Sequence, residues 1–411
     1  MSVLICGAGV VGLCLAHGLK KANIAFEIYE RDAHIDARPH GWAITLHWAL
    51  PFLRQLLDAA SLDAIDAVQV DPEAGRCDSG NFLFLNLATL EAKFRIPANE
   101  RRRVNRERLR KALLLGVADH VHWGKRLDRV ELVEGEGEGQ GEGQGEGGGV
   151  RAVFEDGSEA RGRLLVGAEG SSSRTREFLV PDGHENHQLP AKLVGAAVDL
   201  TPDQAKPLRD IDPLLFQGCH PQTGNYLWVS LLETPETNGS RGTAGQHYRV
   251  QVIMSWLVDD AAAQQVPAAD AARLAEMQRR AADFHPSLRA LVDAIPASTA
   301  VMEIALQDWP CRPWDNRGGR VTLVGDAAHA MTMYRGEAAN HGILDAFYLC
   351  RALERAGPGA QKRALDGYEA EMKQRAGPAV LLSRQACLDA HDYDGLNENS
   401  AVLKRRAAQT D

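Results

Sequence analysis

The chain has 411 residues, of which 45% are hydrophobic and 25% are charged, and its formal net charge at pH 7 is −9. This composition is typical of a folded globular chain of about two to three domains. The excess of acidic residues argues against nucleic acid or an anionic membrane as the main partner. No apolar run reaches the roughly 18 residues of a membrane span. A first strand from residue 2 or 3 leaves no room for a targeting peptide, so we expect a cytoplasmic protein.

The seven cysteines are scattered along the chain and contain no CxxC pair. An odd number of separated cysteines favours reduced thiols over a disulfide framework. Because the sequence also lacks a cluster of ligand-type residues, it predicts no metal site.

The clearest pattern is a strand–glycine–helix–strand unit at the start of the chain. An apolar strand runs into Gly-Ala-Gly-Val-Val-Gly, and a helix and a second strand follow up to Glu30. Gly7 makes the tight turn, Gly9 lets a pyrophosphate approach the backbone, and Gly12 lets helix and strand pack closely. The helix N-terminus attracts phosphates, and Glu30 can accept hydrogen bonds from ribose hydroxyls. The unit therefore predicts a bound dinucleotide, NAD or FAD rather than NADP.

The next segment is rich in glycine and aromatic residues. Gly41 and Ala43 are small enough for a planar ring to lie against the backbone, and Arg38 supplies a cation nearby. The alternative is a surface loop that leads into an ordinary strand. An amphipathic helix is predicted over residues 51–66.

A cluster of arginines opens the helix predicted over residues 103–115. Cations oppose the helix dipole at this end, so we expect at least one arginine to face an anion and the others to be solvated. Two hairpins are also expected, one over residues 82–96 and one on either side of residues 134–149. The latter residues are all Glu, Gly or Gln, which predicts a disordered acidic loop at the hairpin tip.

Two later stretches repeat the arrangement of a buried strand that ends in glycine. Residues 164–167 precede Ala-Glu-Gly-Ser-Ser-Ser, a second candidate contact for phosphate or ribose. Residues 321–324 precede Gly-Asp, which can place a carboxylate on a ribityl hydroxyl. Between them, residues 185–306 alternate as antiparallel strands do, and their aromatic side chains, Tyr226 among them, could wall an apolar ligand.

The three glycine motifs occur in a characteristic order: GAGVVG with Glu30, LLVGAEGSSSRTR, and VTLVGDAAHAMTMYRGEAANHGILDA. Together they resemble the flavoprotein monooxygenases of the para-hydroxybenzoate hydroxylase class, closest to the fungal salicylate-hydroxylase-like branch of secondary metabolism. The resemblance implies an α/β fold: a Rossmann-like FAD-binding domain, an inserted antiparallel-sheet substrate domain and C-terminal helices. The implied FAD-binding parts are 1–184 and 307–390, the latter with the C-terminal helices. The substrate domain is 185–306, and 391–411 is a tail that we expect to fray.

The resemblance also implies one FAD, with NADPH or NADH as a transient reductant. The implied cofactor-binding residues are Gly7, Gly9, Gly12, Glu30, Arg38, Gly41, Ala43, Arg106, Glu169, Asp326, Gly336, Ala339 and Asn340. Three positions depart from the family pattern, because Glu169 replaces an aspartate, Met333 a proline and Ala338 a glycine. We expect FAD binding to survive these changes, although the lost proline removes a rigid turn.

The implied reaction inserts one oxygen atom of O₂ into a hydrophobic aromatic, indole-type or alkaloid small molecule through a flavin C4a-hydroperoxide. Hydroxylation and epoxidation are both open. His47, Tyr226 and Arg335 are the candidates for acid–base and substrate-side roles, and a structural role is the alternative for each. The rival functions are a flavin oxidase or dehydrogenase without oxygen insertion, and a flavin-fold binding protein without a redox role.

Overall fold

The structure is a computed structural model that describes residues 1–37, 42–76, 82–96, 100–134, 148–260, 264–357 and 359–404. The predicted flavin-side residues Arg38 and Gly41 lie outside these ranges. Most of the acidic tract at 134–149 also lies outside them. Within the described residues, no helix has the length and apolar character needed to cross a bilayer.

The helices and strands follow one another along the whole described chain. The strands are β1 (Val3–Cys6), β2 (Phe26–Glu30), β3 (Ala43–Leu46), β4 (Phe82–Asn86), β5 (Ala92–Ile96), β6 (Arg102–Asn105), β7 (Val121–Trp123), β8 (Leu127–Val133), β9 (Gly149–Phe154), β10 (Glu159–Gly162), β11 (Leu164–Gly167), β12 (His187–Gln188), β13 (Ala191–Leu200), β14 (Leu215–Cys219), β15 (Tyr226–Glu233), β16 (Tyr248–Leu257), β17 (Val301–Glu303), β18 (Gln307–Asp308) and β19 (Val321–Leu323). The helices are α1 (Val10–Lys21), α2 (Leu50–Leu56), α3 (Ala59–Ala67), α4 (Pro72–Arg76), α5 (Arg106–Leu113), α6 (Arg174–Leu179), α7 (Pro202–Arg209), α8 (Asp270–Arg280), α9 (Pro286–Asp293), α10 (Asp326–His329), α11 (Ala338–Arg355) and α12 (Gln361–Asp389).

A parallel sheet of order β19-β11-β1-β2-β7 forms the first layer. Its central strands β1 and β11 are buried along their whole length, as expected where helices cover both faces of a parallel sheet. Helix α1 follows β1 and packs against α11. The three strands that end in the glycine motifs, β1, β11 and β19, are adjacent in this sheet. Their carboxyl ends therefore meet at one edge.

A second sheet of order β17-β13-β16-β15-β14-β4-β5 has two buried faces. One face packs against α7, α8 and α9 through Leu208, Leu274 and Leu291. The opposite face, here called the aromatic face, carries Tyr226 and Trp228 with other apolar side chains. The predicted fold class, α/β with an additional, largely antiparallel sheet and C-terminal helices, is confirmed.

The predicted hairpins form, and the first of them belongs to the second sheet. Strands β4 and β5 of residues 82–96 pair with each other and, through β4, with β14. They therefore extend the sheet whose other strands lie within 185–306, although they come from the segment 1–184. The division into domains remains a proposal. The second hairpin pairs β8 with β9 on either side of the acidic tract.

Two predicted helices begin or break at different residues. The helix predicted over 51–66 is two helices, because the Asp58 side chain accepts a hydrogen bond from the Ser61 N–H and starts α3. The helix predicted from residue 103 begins at Arg106, because β6 pairs with β3 up to Asn105. The Asn105 side chain then caps α5.

The prediction that the tail frays is wrong for residues 391–404. Leu396, Val402 and Leu403 are buried in the apolar cluster of the aromatic face. Asp389 accepts a hydrogen bond from the Val402 N–H at 3.4 Å, and Arg335 donates to the Ala401 carbonyl. These few apolar residues, set in a polar stretch, hold the segment in place, and we call residues 391–404 the C-terminal segment.

Candidate active site

A cleft of about 810 Å³ lies at the carboxyl ends of the parallel strands. This edge of a parallel sheet, with helix N-termini facing it, is where such folds bind ligands. The volume falls within the range of about 300–1,000 Å³ usual for small-molecule sites. Residues from all three glycine motifs line the cleft: Gly7, Gly9, Glu30, Glu169, Asp326, Ala338 and Ala339.

The first glycine motif has the geometry that its sequence predicts. Gly7 has a φ of +115°, and a Cβ there would lie 2.4 Å from the Ala168 carbonyl oxygen. A Cβ at Gly12 would lie 2.0 Å from the Gly7 carbonyl oxygen, so strand and helix could not approach as closely with any other residue. A Cβ at Gly9 would meet no atom within 4 Å. Gly9 therefore leaves open space in front of α1, where a phosphate would be stabilised by backbone N–H groups.

Glu30 ends β2 and is almost fully buried at the cleft. Its carboxylate accepts hydrogen bonds from the Ala8 N–H at 2.8 Å and the Asp32 N–H at 3.0 Å. Arg110 Nη2 lies 3.2 Å from Glu30 Oε2, and Arg110 also donates to Asp32 at 2.9 Å and to the Ala8 carbonyl at 2.7 Å. These contacts fix the Glu30 carboxylate at the cleft, where the first glycine motif places it.

Arg110 of the basic cluster faces two carboxylates beside the cleft, as expected of at least one member, and Arg108 pairs with Glu233 at 2.7 Å. The prediction that the other arginines are solvated is wrong for Arg103, which is buried. The sequence did not single out Arg110, because the contact joins α5 to the end of β2, 78 positions apart for the Arg110–Asp32 pair. Arg106, four residues earlier, lines the cleft directly. In the sequence, only the spacing of four residues between Arg106 and Arg110 indicates that both lie on the same side of the helix.

Asp326 begins α10 and lines the cleft. The preceding Gly325 has a φ of +61°, a conformation that favours glycine. Burial raises the pKa of the Asp326 carboxyl, and the charges of His329, Arg106 and Arg176 act in the opposite direction. The cleft therefore combines a half-buried carboxylate with two nearby guanidinium groups, a set suited to a ligand with hydroxyl and phosphate groups.

Arg176 was not singled out from the sequence. Its guanidinium lines the cleft and donates to the Asn186 side chain at 3.0 Å, while its charge lies 4.9 Å from the Trp309 ring centroid. Burial lowers the pKa of Arg176 to about 10. In the sequence, only its position in the second glycine motif relates Arg176 to the cleft, and that position alone does not predict a buried guanidinium.

Glu169, the departure in the second motif, turns toward the protein. Its carboxylate accepts hydrogen bonds from the Ser173 hydroxyl at 2.8 Å, the Thr175 N–H at 3.0 Å and the Thr175 hydroxyl at 2.7 Å. The longer side chain thus reaches the first turn of α6, where an acidic group is stabilised. Glu169 also lines the cleft, so its predicted cofactor contact remains a prediction.

Asn340 holds the third motif against β3. Its side-chain oxygen accepts from the His47 N–H at 3.0 Å, and its NH₂ group donates to the carbonyls of Thr45 at 3.0 Å and Gly336 at 3.3 Å. Gly336 has a φ of +62°. The adjacent Ala338 and Ala339 line the cleft as a result. The amide of Asn340 therefore serves as a bridge between protein groups.

Behind the cleft, Asp345 joins α11 to α10 and α12. Its carboxylate accepts from the Gly325 N–H at 2.8 Å and from Arg375 at 2.7 Å, and lies 2.5 Å from His329 Nε2. Asp345 is fully buried. Although burial opposes ionisation, His329 and Arg375 hold the pKa of Asp345 well below its usual range. This network fixes Gly325 and therefore the position of Asp326.

Comparisons with known proteins agree with a cleft that binds a dinucleotide. A family model described as an FAD binding domain matches residues 140–383. The FAD-dependent monooxygenase dbaB of Emericella nidulans is 43% identical over 353 residues, which cover 85% of this chain and 86% of that protein. The FAD-dependent monooxygenase cctM of Talaromyces islandicus is 30% identical over 417 residues, covering 99% and 98%. The chain belongs to the FAD-dependent monooxygenases.

A solved substrate complex of salicylate hydroxylase has the same fold, with a TM-score of 0.73, 18% identity and coverage of 98% of this chain and 92% of that one. The predicted family is therefore confirmed, and FAD is the cofactor that it implies. The residues of this monooxygenase fit FAD, because Gly9 leaves space at a helix N-terminus and the cleft holds buried groups of both charges.

Three predicted residues have structural contacts that the sequence did not show. Ala43 packs into the core beside the second sheet, while the next residue, Ile44, lines the cleft. Arg335 forms a buried ion pair with Glu337 at 2.9 Å in addition to its contact with Ala401. His47 is buried, and its ring lies edge-on to Trp48 with centroids 5.9 Å apart.

Tyr226 lies on the aromatic face in a buried polar network. Its hydroxyl donates to Gln217 at 2.7 Å, and its ring packs against Tyr334 with centroids 5.1 Å apart. The Tyr334 hydroxyl donates to Ser255 Oγ at 2.8 Å, and Ser255 Oγ lies 2.8 Å from His391 Nε2. Roles for His47, Tyr226 and Arg335 in the chemistry remain predictions.

His391 should make the stability of the enzyme depend on pH. Burial lowers the pKa of His391 to about 4 from 6.5. The unfolded chain therefore takes up a proton between these pH values and the folded chain does not, so stability falls as the pH falls from 6.5 to 4. The contribution is about 3 kcal/mol. Urea unfolding of His391→Gln should show a shallower loss over this window. His187→Gln, at an exposed position, should keep the wild-type slope, and an equal slope in both variants would contradict the assignment.

Proposed function

We propose that the protein is an NAD(P)H- and O₂-dependent flavin monooxygenase that hydroxylates or epoxidises a hydrophobic aromatic or indole-type molecule in secondary metabolism. The observation that carries the proposal is the ribbon of β3 and β6, which joins the FAD cleft to the aromatic face. Ile44 of β3 lines the cleft. Arg103 of β6 donates to Ser230 of β15 at 2.9 Å and lies 5.7 Å from the Trp228 ring centroid.

Different protein groups would bind different parts of FAD. Gly9 and the N-terminus of α1 would receive the pyrophosphate, Glu30 the adenosine ribose and Asp326 a ribityl hydroxyl. Arg106 and Arg176 would add positive charge along the cleft. When bound, FAD would accept a hydride from the nicotinamide and supply the chemistry that transfers one oxygen atom from O₂.

The aromatic face favours a flat apolar substrate. Its buried side chains include Phe82, Phe84, Trp228 and Ile253, and a planar apolar molecule placed beside β3 and β6 would meet such side chains. Closing such a wall over the reacting groups would exclude water, which the reaction requires. The relatives named as FAD-dependent monooxygenases support the same reaction class.

The proposal is tested by mixing FAD-loaded protein anaerobically with NADPH, then NADH, and following the visible absorbance of the flavin. We expect bleaching with at least one nicotinamide. Addition of ¹⁸O₂ with a panel of phenols and indoles should then give a product that carries one ¹⁸O atom. The Gly9→Val variant, expected to lack FAD, serves as the control for background oxidation.

The outcomes separate the rival functions. Oxidation of a substrate with hydrogen peroxide as the only oxygen product would identify an oxidase. Retained FAD that no nicotinamide reduces, with or without the substrate panel, would contradict the monooxygenase proposal.

A further inference from the structure

A second cavity of about 410 Å³ lies beside β13 of the second sheet, next to the loop that precedes the edge strand β17. It is separate from the FAD cleft, and none of the residues predicted from the sequence lines it. Its walls combine an aromatic side chain, small residues of β13 and a group of polar side chains. Each of these three features restricts what the cavity can bind.

The cavity begins close to the inner end of the FAD cleft. Trp42 lines the cavity and Ile44 lines the cleft. The two residues are two positions apart in the chain, which spans at most about 7 Å. The Trp42 carbonyl accepts a hydrogen bond from the Arg106 N–H at 2.9 Å, which ties this end of the cavity to the cleft. A molecule of two or three fused rings could therefore extend from one to the other.

The cavity has a flat side. A Cβ at Gly195 would lie 3.4 Å from the Trp42 ring, so the glycine lets the indole lie against β13. Ala197, two residues along the same face of the strand, also lines the cavity. An indole beside a small-residue strand forms a wall suited to a planar aromatic ring.

The far end of the cavity is polar. In the sheet, Gln251 pairs with Ala197 and Arg249 pairs with Asp199, which places these side chains on one face. Arg249 Nη1 lies 3.6 Å from Asp199 Oδ1, beyond hydrogen-bond distance. Within the described part of the chain, its guanidinium makes no hydrogen bond, and its buried Nε has no partner. It retains donors for a ligand oxygen, and an arginine fork suits carboxylate and phenolate-type oxygens.

We propose that this cavity holds the distal ring of the aromatic substrate, and that Arg249 binds an anionic oxygen on that ring, a carboxylate, phenolate or enolate. The inference rests on the proposed function, which supplies the reaction at the other end of the molecule. Arg249 is then a specificity-determining residue that selects acidic aromatic substrates. Gly195 lets the Trp42 indole pack against β13 and so sets the position of the flat wall.

The test compares two flat probes of the same shape, naphthalene-2-carboxylate and naphthalene-2-carboxamide, by calorimetric titration into the FAD-loaded protein. We expect the carboxylate to bind about tenfold more tightly, as a charge-assisted hydrogen bond allows. Arg249→Gln should weaken carboxylate binding about tenfold and change carboxamide binding by less than about twofold. Arg249→Lys should retain part of the preference, and Gly195→Val should weaken both probes.

The matched control is Arg289→Gln, which removes the same charge from an exposed helix position and should leave both affinities unchanged. Equal loss of both probes in Arg249→Gln, no loss of either, or no binding of either probe below about 1 mM in the wild type would overturn the inference. The titration needs neither NAD(P)H nor O₂. A loss of carboxylate preference in Arg249→Gln would therefore support the role of Arg249 even if the enzyme inserted no oxygen. If oxygen is inserted and Arg249→Gln binds both probes as the wild type does, the proposed function holds and the role of Arg249 is overturned.

Discussion

The Gly9→Val protein is expected to purify without FAD and to unfold at the same urea concentration as the wild-type apoprotein. Gly9 lines the FAD cleft, and a Cβ there would meet no protein atom within 4 Å. Its φ of −77° suits any residue. The valine side chain would therefore fit the protein and occupy the space at the N-terminus of α1. FAD affinity should fall at least about a hundredfold, as measured by absorbance after dialysis and by titration.

Two other glycines serve as controls for this experiment. Gly357→Val introduces the same side chain where a Cβ also meets nothing within 4 Å, and it should keep its FAD. Gly12→Ala should lose both FAD and stability, because its Cβ would lie 2.0 Å from the Gly7 carbonyl oxygen. A Gly9→Val protein that binds FAD normally would show that the phosphates lie elsewhere.

The Asp345→Asn variant should have the largest effect on stability. It removes the negative charge between His329 and Arg375 and leaves their buried donors without a carboxylate. Breaking a buried ion pair costs about 3–5 kcal/mol. Because Asp345 also accepts from the Gly325 N–H, the turn before Asp326 should loosen and FAD affinity should fall as well.

Equilibrium unfolding in urea at neutral pH measures the effect. Asp366→Asn is the matched control, since Asp366 pairs with Lys362 at 2.7 Å on the exposed side of α12, and it should change stability by less than about 1 kcal/mol. A loss of similar size in the two variants would show that the buried network contributes nothing specific.

Asp345 should also make the free energy of unfolding depend on pH, in a range below that of His391. The folded pKa of Asp345 lies well below its usual value, so its stabilisation is complete above about pH 4 and is lost as the pH falls further. Asp345→Asn should lack this acidic loss. A variant that keeps the wild-type slope below pH 4 would exclude Asp345 as its source.

The parts that the sequence predicted are those in which one short segment carries the whole physical constraint. The positive φ of Gly7, the open space at Gly9 and the contact of Gly12 with the Gly7 carbonyl all belong to one turn, and the pattern predicts this turn directly. The contact of Gly7 with Ala168, in contrast, joins two distant segments. The Gly-Asp turn at Gly325 is a similar case. Alternation along 226–232 and 248–257 likewise predicts strands, because successive side chains of a strand point to opposite faces, here two buried ones.

The parts that the sequence did not predict depend on contacts between distant segments. Arg110 is one of several nearby arginines, and only the packing of α5 against α1 brings it to Ala8, Glu30 and Asp32. Glu169 retains the family's charge, but its extra methylene turns it to Ser173 and Thr175. The break at Asp58 was predictable in principle, since aspartate is a favoured N-cap, and an unbroken apolar period concealed it.

The C-terminal segment also has a consequence for how the chain is made. The aromatic face is covered by Leu396, Val402 and Leu403, and Lys93 of β5 lies 4.0 Å from the Tyr393 ring centroid. During synthesis, this face must stay uncovered until residue 403 has left the ribosome, long after the strands that carry it have emerged. Over that interval the nascent chain exposes an apolar surface to which chaperones bind and at which unfinished chains associate.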